Sequence, residues 1–216
     1  MPTIDSARAW YPDEDPVHGF DHILRVFRLA ERLARAEGAD PEIVAAAVLL
    51  HDVESQESPD PAGNASSRLA HHQYSAQFAA EVLRAEGWPP ERIQAVQHCI
   101  RAHRFRDDSE QPATLEAKVL FDADKLDAIG AIGVARAIAY AAREDQPPYA
   151  SPSKQFLETG EKAPGEPHSA YHEYLFKLRV LKSRIYTAAG LAVAEERHRF
   201  MADYFERLGA EVLGER

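Results

Sequence analysis

Apolar positions recur on helical faces along almost the whole chain. Phe20, Ile23, Leu24, Phe27, Leu29 and Leu33 mark one such face. They predict a helix from Val17 to Glu37 that stops at Gly38. Asp40-Pro41-Glu42 reads as an N-cap with proline at the first helical position, opening a segment from Ile43 to Asp52. That segment is apolar on nearly every side, so it belongs at the centre of a core. Residues 56–67 are polar and predict a loop. Further helices are predicted from Arg68 to Glu86, ending at Gly87, and from Pro89-Pro90-Glu91 to Ala102. Leu115–Asp127 and Ile129–Ala142 read as two more, joined or kinked at Gly130 and Gly133. Residues 144–168 carry Pro147, Pro148, Pro152, Pro164 and Pro167, which predicts an irregular loop and a lid candidate. Tyr171 to Leu213 reads as two helices with a break near Gly190. No strand pattern and no internal repeat is legible. The expected fold is all-α, a single helical domain over residues 1–216.

Composition adds limits. A chain of 216 residues that is 45% hydrophobic can bury a substantial core. Its longest apolar run, Ile43 to Leu50, is far short of the ~20 residues a membrane helix needs. The opening Met1-Pro2-Thr3-Ile4-Asp5 lacks the features of a signal peptide. One cysteine, Cys99, excludes an intramolecular disulfide and a cysteine-based zinc site. These features together lead us to expect a cytoplasmic enzyme. Lys and Arg number 25 against 35 Asp and Glu, a net charge of −10. So acidic a chain is not expected to bind a nucleic-acid polymer. A small phosphorylated ligand remains compatible, because a metal and a few local cations can hold it.

Candidate chemistry concentrates in His22, the adjacent pair His51-Asp52, and Asp124. Imidazole nitrogen with carboxylate oxygen suits one divalent transition metal (Mn, Fe, Co, Ni or Zn), with Mg possible. Four protein ligands leave two positions of an octahedral ion for water and a phosphate oxygen. An aspartate at a helix C-terminus opposes the macrodipole, and a bound cation would supply the reason for it.

The residues around these four resemble the HD-domain metal-dependent phosphohydrolases. His22-Ile23-Leu24-Arg25-Val26 is similar to that family's HxxRV, and Leu49-Leu50-His51-Asp52-Val53 to its LLHDI. The segment from Asp122 to Gly133 is similar to the DADRLDAIGAIG of one bacterial branch, and Glu195–Met201 to its EERHxFM. The likeness runs from about residue 18 to residue 205. By position it implies His22, His51, Asp52 and Asp124, rather than Asp122, as metal ligands. The branch often carries an aspartate after the first histidine, where this chain has Gly19. Asp21 is the candidate substitute for that aspartate, although it projects from a different side of the helix.

The resemblance implies attack of a metal-activated water on phosphorus, with Asp52 or Glu54 as the assisting carboxylate. Candidate phosphate contacts are His18, His103, Lys125, Arg136 and Lys177, with His98 a further one. His103 fits the family position better than His98. His71-His72 is a candidate for a second metal. Arg25 reads as a residue bridging helices, and Arg197 and His198 as packing or surface ion-pair residues. Tyr149 and Phe156 read as packing rather than base stacking, and His172 as a substrate-loop candidate. The expected function is hydrolysis of a small phosphorylated metabolite, foremost a nucleotide. A di-iron oxygenase on the same scaffold and a non-catalytic ligand-binding protein are the alternatives.

Overall fold

The computed structural model describes residues 1–11, 19–53, 65–104 and 110–216, and of residues 65–71 the backbone alone. Among these residues there are helices and no strand, as the all-α reading requires. No described helix is long and apolar enough to cross a membrane. The chain divides into two compact units and passes between them at Asp124–Lys125, Ile185–Tyr186 and Gly190–Leu191.

The first unit holds Met1–Asp124 with Tyr186–Gly190. It contains α1 (Ile4–Arg8), α2 (Phe20–Glu37), α3 (Pro41–Leu50), α4 (Ala65–Ala85), α5 (Pro90–Ala102) and most of α6 (Leu115–Leu126). α3 is its axis: every residue from Ile43 to Leu50 is buried, and α2, α4 and α5 pack on it. Its start is capped by Asp40, whose Oδ1 accepts from the N–H groups of Glu42 and Ile43 at 2.9 and 3.2 Å. Arg92 of α5 donates to both oxygens of the same carboxylate, tying the caps together. α2 ends where Gly38 takes φ +78°, a left-handed conformation that glycine adopts without steric cost.

Element boundaries depart from the periodicity in four places. The helix predicted from Val17 begins at Phe20, with Gly19 as its extended N-cap. Val17 lies outside the described residues. α3 ends at Leu50, leaving His51 as C-cap and Asp52 in the turn beyond. The predicted loop 56–67 gives way to helix at Ala65. Small polar residues suit a first helical turn as well as a loop, so composition could not place that edge. The break expected at Gly190 lies at residues 185–187 instead. Thr187 caps α10 (Ala188–Val212), its Oγ1 accepting from Gly190 N–H at 3.0 Å. Gly190 is therefore inside the first turn.

The second unit holds Lys125–Ile185 and Leu191–Arg216. α6 and α7 (Gly130–Arg143) are separate helices, divided at Ile129, which is extended. Gly130 follows at φ +79°, where a Cβ would come within 2.8 Å of the Arg197 side chain. The segment 144–168 is built around α8 (Lys154–Thr159) rather than being wholly irregular, because its prolines flank that stretch and do not interrupt it. α9 (Ala170–Phe176) and a 3₁₀ segment (Leu178–Arg184) lead to α10.

One carboxylate organises that segment. Glu166 accepts from Ser153 N–H at 2.6 Å, Ala163 N–H at 2.7 Å and His172 Nε2 at 3.0 Å. His172 is fully buried, its Nδ1 2.7 Å from Ser169 Oγ and its ring packed on Phe156. It is therefore a strut of this unit and not the open substrate-loop residue expected. Bonds from Ser153, His172 and Ala163 outweigh partial burial and hold the Glu166 carboxyl down to about 2. An unfolded glutamate titrates near ~4.3, so this contribution is complete above that pH and is lost as pH falls toward 2. Glu166→Gln should accordingly lower the guanidinium midpoint at pH 7, and the gap to wild type should shrink by pH 3. An equal gap at both values would mean that the charge contributes nothing.

Candidate metal centre

Two helices of the first unit end alike. His51 closes α3 and His103 closes α5, both in right-handed helical conformation. Each folds its ring back on its own last turn: His51 Nδ1 lies 2.8 Å from Val48 O, and His103 Nδ1 2.5 Å from Ile100 O. A carbonyl oxygen only accepts, so Nδ1 carries the proton in both rings and donates it. Each ring held this way turns its Nε2 away from its own helix, the arrangement a metal-ligating histidine uses.

His22, on the first turn of α2, comes to the same place. Its ring lies 5.9 Å from that of His51, which lies 5.1 Å from that of His103. All three histidines are buried. The carboxylates close the group from the more open side: Asp124 Oδ1 is 3.4 Å from His22 Nε2. Asp52 spans the rings, Oδ2 standing 3.9 Å from Nε2 of both His22 and His51, and Oδ1 3.8 Å from that of His103. Ligand atoms of His22, His51 and Asp124 lie within 4.8 Å of one another, and so do those of His51, Asp52 and His103. The three Asp52 separations are too long for hydrogen bonds, and the group as a whole suits donors arranged around a shared ion.

One atom tests that fit. His51 Nε2 is buried with no hydrogen-bond partner among the described residues. Leaving such a group unsatisfied costs ~1–3 kcal/mol, so native proteins seldom keep one without a purpose. A divalent cation would take that lone pair, and the nitrogen and oxygen donors around it are the set such an ion binds.

The two aspartates of Asp122-Ala123-Asp124 are separated by the helix. Asp124 faces His22, whereas Asp122 is fully buried and turned elsewhere. Its Oδ1 accepts from Tyr186 N–H at 2.9 Å, and its Oδ2 from Thr187 N–H at 2.8 Å and Thr187 Oγ1 at 2.6 Å. Burial pushes the Asp122 carboxyl up, and these bonds oppose it.

Other sequence candidates have different surroundings. His18 and Glu54 lie outside the described residues, as does the side chain of His71. His98 is engaged at both ring nitrogens, by Glu110 at 2.6 Å and by Ala113 N–H at 3.1 Å, and so does not serve as an open phosphate contact. His72 is buried, 3.3 Å from Arg104. Arg25 pairs with Asp21 one turn back on α2. Lys125, Arg136 and Lys177 belong to the second unit. There Arg136 donates to the carboxylate and carbonyl of Asp127, and Lys177 pairs with Glu173. Tyr149 stacks on Tyr171 at 4.9 Å and Phe156 is buried, so both are packing residues as expected. Arg197 donates to Leu126 O.

Periodicity did not single out Tyr11. It is buried beneath the His51–Asp52 turn, with its hydroxyl donating to Leu49 O at 2.9 Å. Burial, and then the nearby Asp52 charge, hold its phenol well above the ordinary value. The only hint in the sequence is the aromatic pair Trp10-Tyr11 ahead of the first long helix.

Comparison with known proteins gives this geometry a family. The Bacillus subtilis protein YpgQ is 33% identical over 205 residues, covering 94% of this chain and 88% of that protein. The crystal structure of YpgQ in complex with ADP matches at a TM-score of 0.70 and 30% identity, over 97% of this chain and 98% of that one. An HD-superfamily hydrolase from Bacillus thuringiensis matches at a TM-score of 0.70 and 26% identity, over 96% and 93% of the two chains. The sequence profile of the HD domain matches residues 19–129, a span that contains His22, His51, Asp52, His103 and Asp124. With the profile enclosing all five donors and YpgQ alike along nearly its full length, the chain belongs to the HD domain family.

Proposed function

We propose that this protein is a metal-dependent phosphohydrolase whose substrate is a small phosphorylated metabolite of the nucleotide class. His22, His51, Asp52 and Asp124 are the residues that would hold one divalent transition metal. The observation that carries the reading is the buried, unpartnered His51 Nε2, fixed by its Nδ1 bond and surrounded by imidazole and carboxylate donors. When bound, the metal would polarise a phosphoryl oxygen and make a water more acidic. The nucleotide class is supported by YpgQ, which has been crystallised with ADP.

The chain's own groups have separable tasks. Asp52 has one oxygen toward His22 and His51 and the other toward His103, so it can orient a water and accept its proton. The water oxygen forms the new bond to phosphorus as the bond to the leaving oxygen breaks. His103 Nε2 faces the same carboxylate and, when protonated, can donate to a phosphoryl oxygen as charge develops there. The second donor group, His51, Asp52 and His103, overlaps the first and is what favours the di-iron alternative.

The test starts from full-length protein stripped with a chelator. Phosphate and pyrophosphate release is measured over nucleotides and sugar phosphates, with Mn, Fe, Co, Ni, Zn or Mg added singly. Nucleotide hydrolysis should appear only with metal and vanish in His51→Ala. Oxygen consumption with iron, and no release from any phosphorylated compound, would replace this reading with the oxygenase.

A further inference from the structure

We propose that Tyr11 is a positioning residue for the metal ligands, its hydroxyl fixing the turn that carries His51 and Asp52. The inference rests on the reading that this pair binds the metal. Its basis is the way α3 ends. The last carbonyls of any helix lack partners within the helix and need them from outside. Val48 O receives the His51 ring proton, and Leu49 O receives the hydroxyl proton of Tyr11, which lies 38 residues away in sequence. The phenol hydroxyl thus satisfies the carbonyl two residues before His51. On the far side, Ser75 of α4 donates to Val53 O at 3.0 Å, so the turn is held from both directions.

Tyr11 is itself well fixed. Thr3 and Ser6 form a reciprocal capping box at the start of α1. Ala7, Tyr11, Phe20, Ile23, Leu49 and Val53 form one buried cluster, and the Tyr11 and Phe20 rings lie 5.6 Å apart. Trp10 packs edge-on against Phe78 of α4 beside them. A hydroxyl anchored this way restricts where the Asp52 carboxylate can stand. Groups that orient metal ligands through hydrogen bonds are commonly worth ~10–100-fold in metal affinity.

Packing and positioning predict different results. Tyr11→Phe keeps the ring and removes only the hydroxyl. Mn²⁺ binding to chelator-treated full-length protein, followed by calorimetry, should weaken by ~10-fold or more. Phe78→Leu disturbs the same cluster away from the hydroxyl, and should lower the melting temperature while leaving Mn²⁺ affinity at the wild-type value. Wild-type affinity in Tyr11→Phe, or an equal loss of affinity in Phe78→Leu, overturns the inference. His51→Ala separates the two levels: if it still binds Mn²⁺ like wild type, the ligand reading fails and the inference falls with it. If it loses Mn²⁺ while Tyr11→Phe does not, the inference alone fails.

Discussion

Asp52→Asn is expected to leave the metal-free protein folded while removing both its response to metal and its hydrolytic activity. The substitution keeps the shape of the side chain and removes its charge. Asp52 stands 3.8–3.9 Å from three imidazole nitrogens, beyond hydrogen-bond distance of these rings. It also lies just beyond the C-terminus of α3, where a negative charge opposes the helix dipole. Metal-free melting temperatures of the variant and the wild type should therefore agree closely at neutral pH. Metal should separate them: a ligand present at 100 times its dissociation constant adds ~2.7 kcal/mol to stability, and the variant should lose most of that. Hydrolysis should fall by at least ~10²–10³-fold, the usual loss when one preorganised electrostatic group is removed. A variant that unfolds without metal, while wild type does not, would make Asp52 a structural residue. A variant with wild-type activity would exclude it from the chemistry.

Two residues apart on one helix, Asp122→Ala and Asp124→Ala should have opposite phenotypes. Removing the Asp122 carboxylate leaves the Tyr186 and Thr187 N–H groups and the Thr187 hydroxyl without their acceptor. At ~1–3 kcal/mol for each buried donor left unsatisfied, a loss of ~3 kcal/mol or more is expected. For a chain of this size that corresponds to a fall of ~6–12 °C in melting temperature, with or without metal. Asp124 is 15% exposed where Asp122 is fully buried, so Asp124→Ala should lower the metal-free melting temperature by less than Asp122→Ala does. Its effect should appear as lost metal binding. Thermal unfolding of both variants, with and without Mn²⁺, reads the contrast directly. Similar shifts in the two would contradict the division of labour drawn from their contacts.

Much of this protein was legible from its residues, for physical reasons that differ from element to element. The helices of the first unit follow from apolar spacing and from signals that act locally: the Asp40 side-chain cap on α3, the left-handed Gly38 after α2 and Pro90 at the first position of α5. The run Ile43–Leu50 could only be a core helix, because no water-facing side exists for it, and every residue of it is buried. His22, His51, Asp52 and Asp124 could be singled out because the residues flanking them match family motifs in order. Three-dimensional packing decided what local pattern does not encode. That His103 joins the others depends on α5 ending beside α3, a relation between residues 52 positions apart. That α10 starts after Thr187, and not near Gly190, depends on Asp122 accepting from the chain 65 residues later. A glycine marks where a helix can stop, whereas a distant carboxylate determines where this one starts. Tyr11 carries no signal in periodicity, since its role arises only when a phenol oxygen meets the end of a helix far along the chain. The residues fix local geometry through short-range sterics and capping, and the tertiary fold selects which polar atoms meet, because burial makes each of them require a partner.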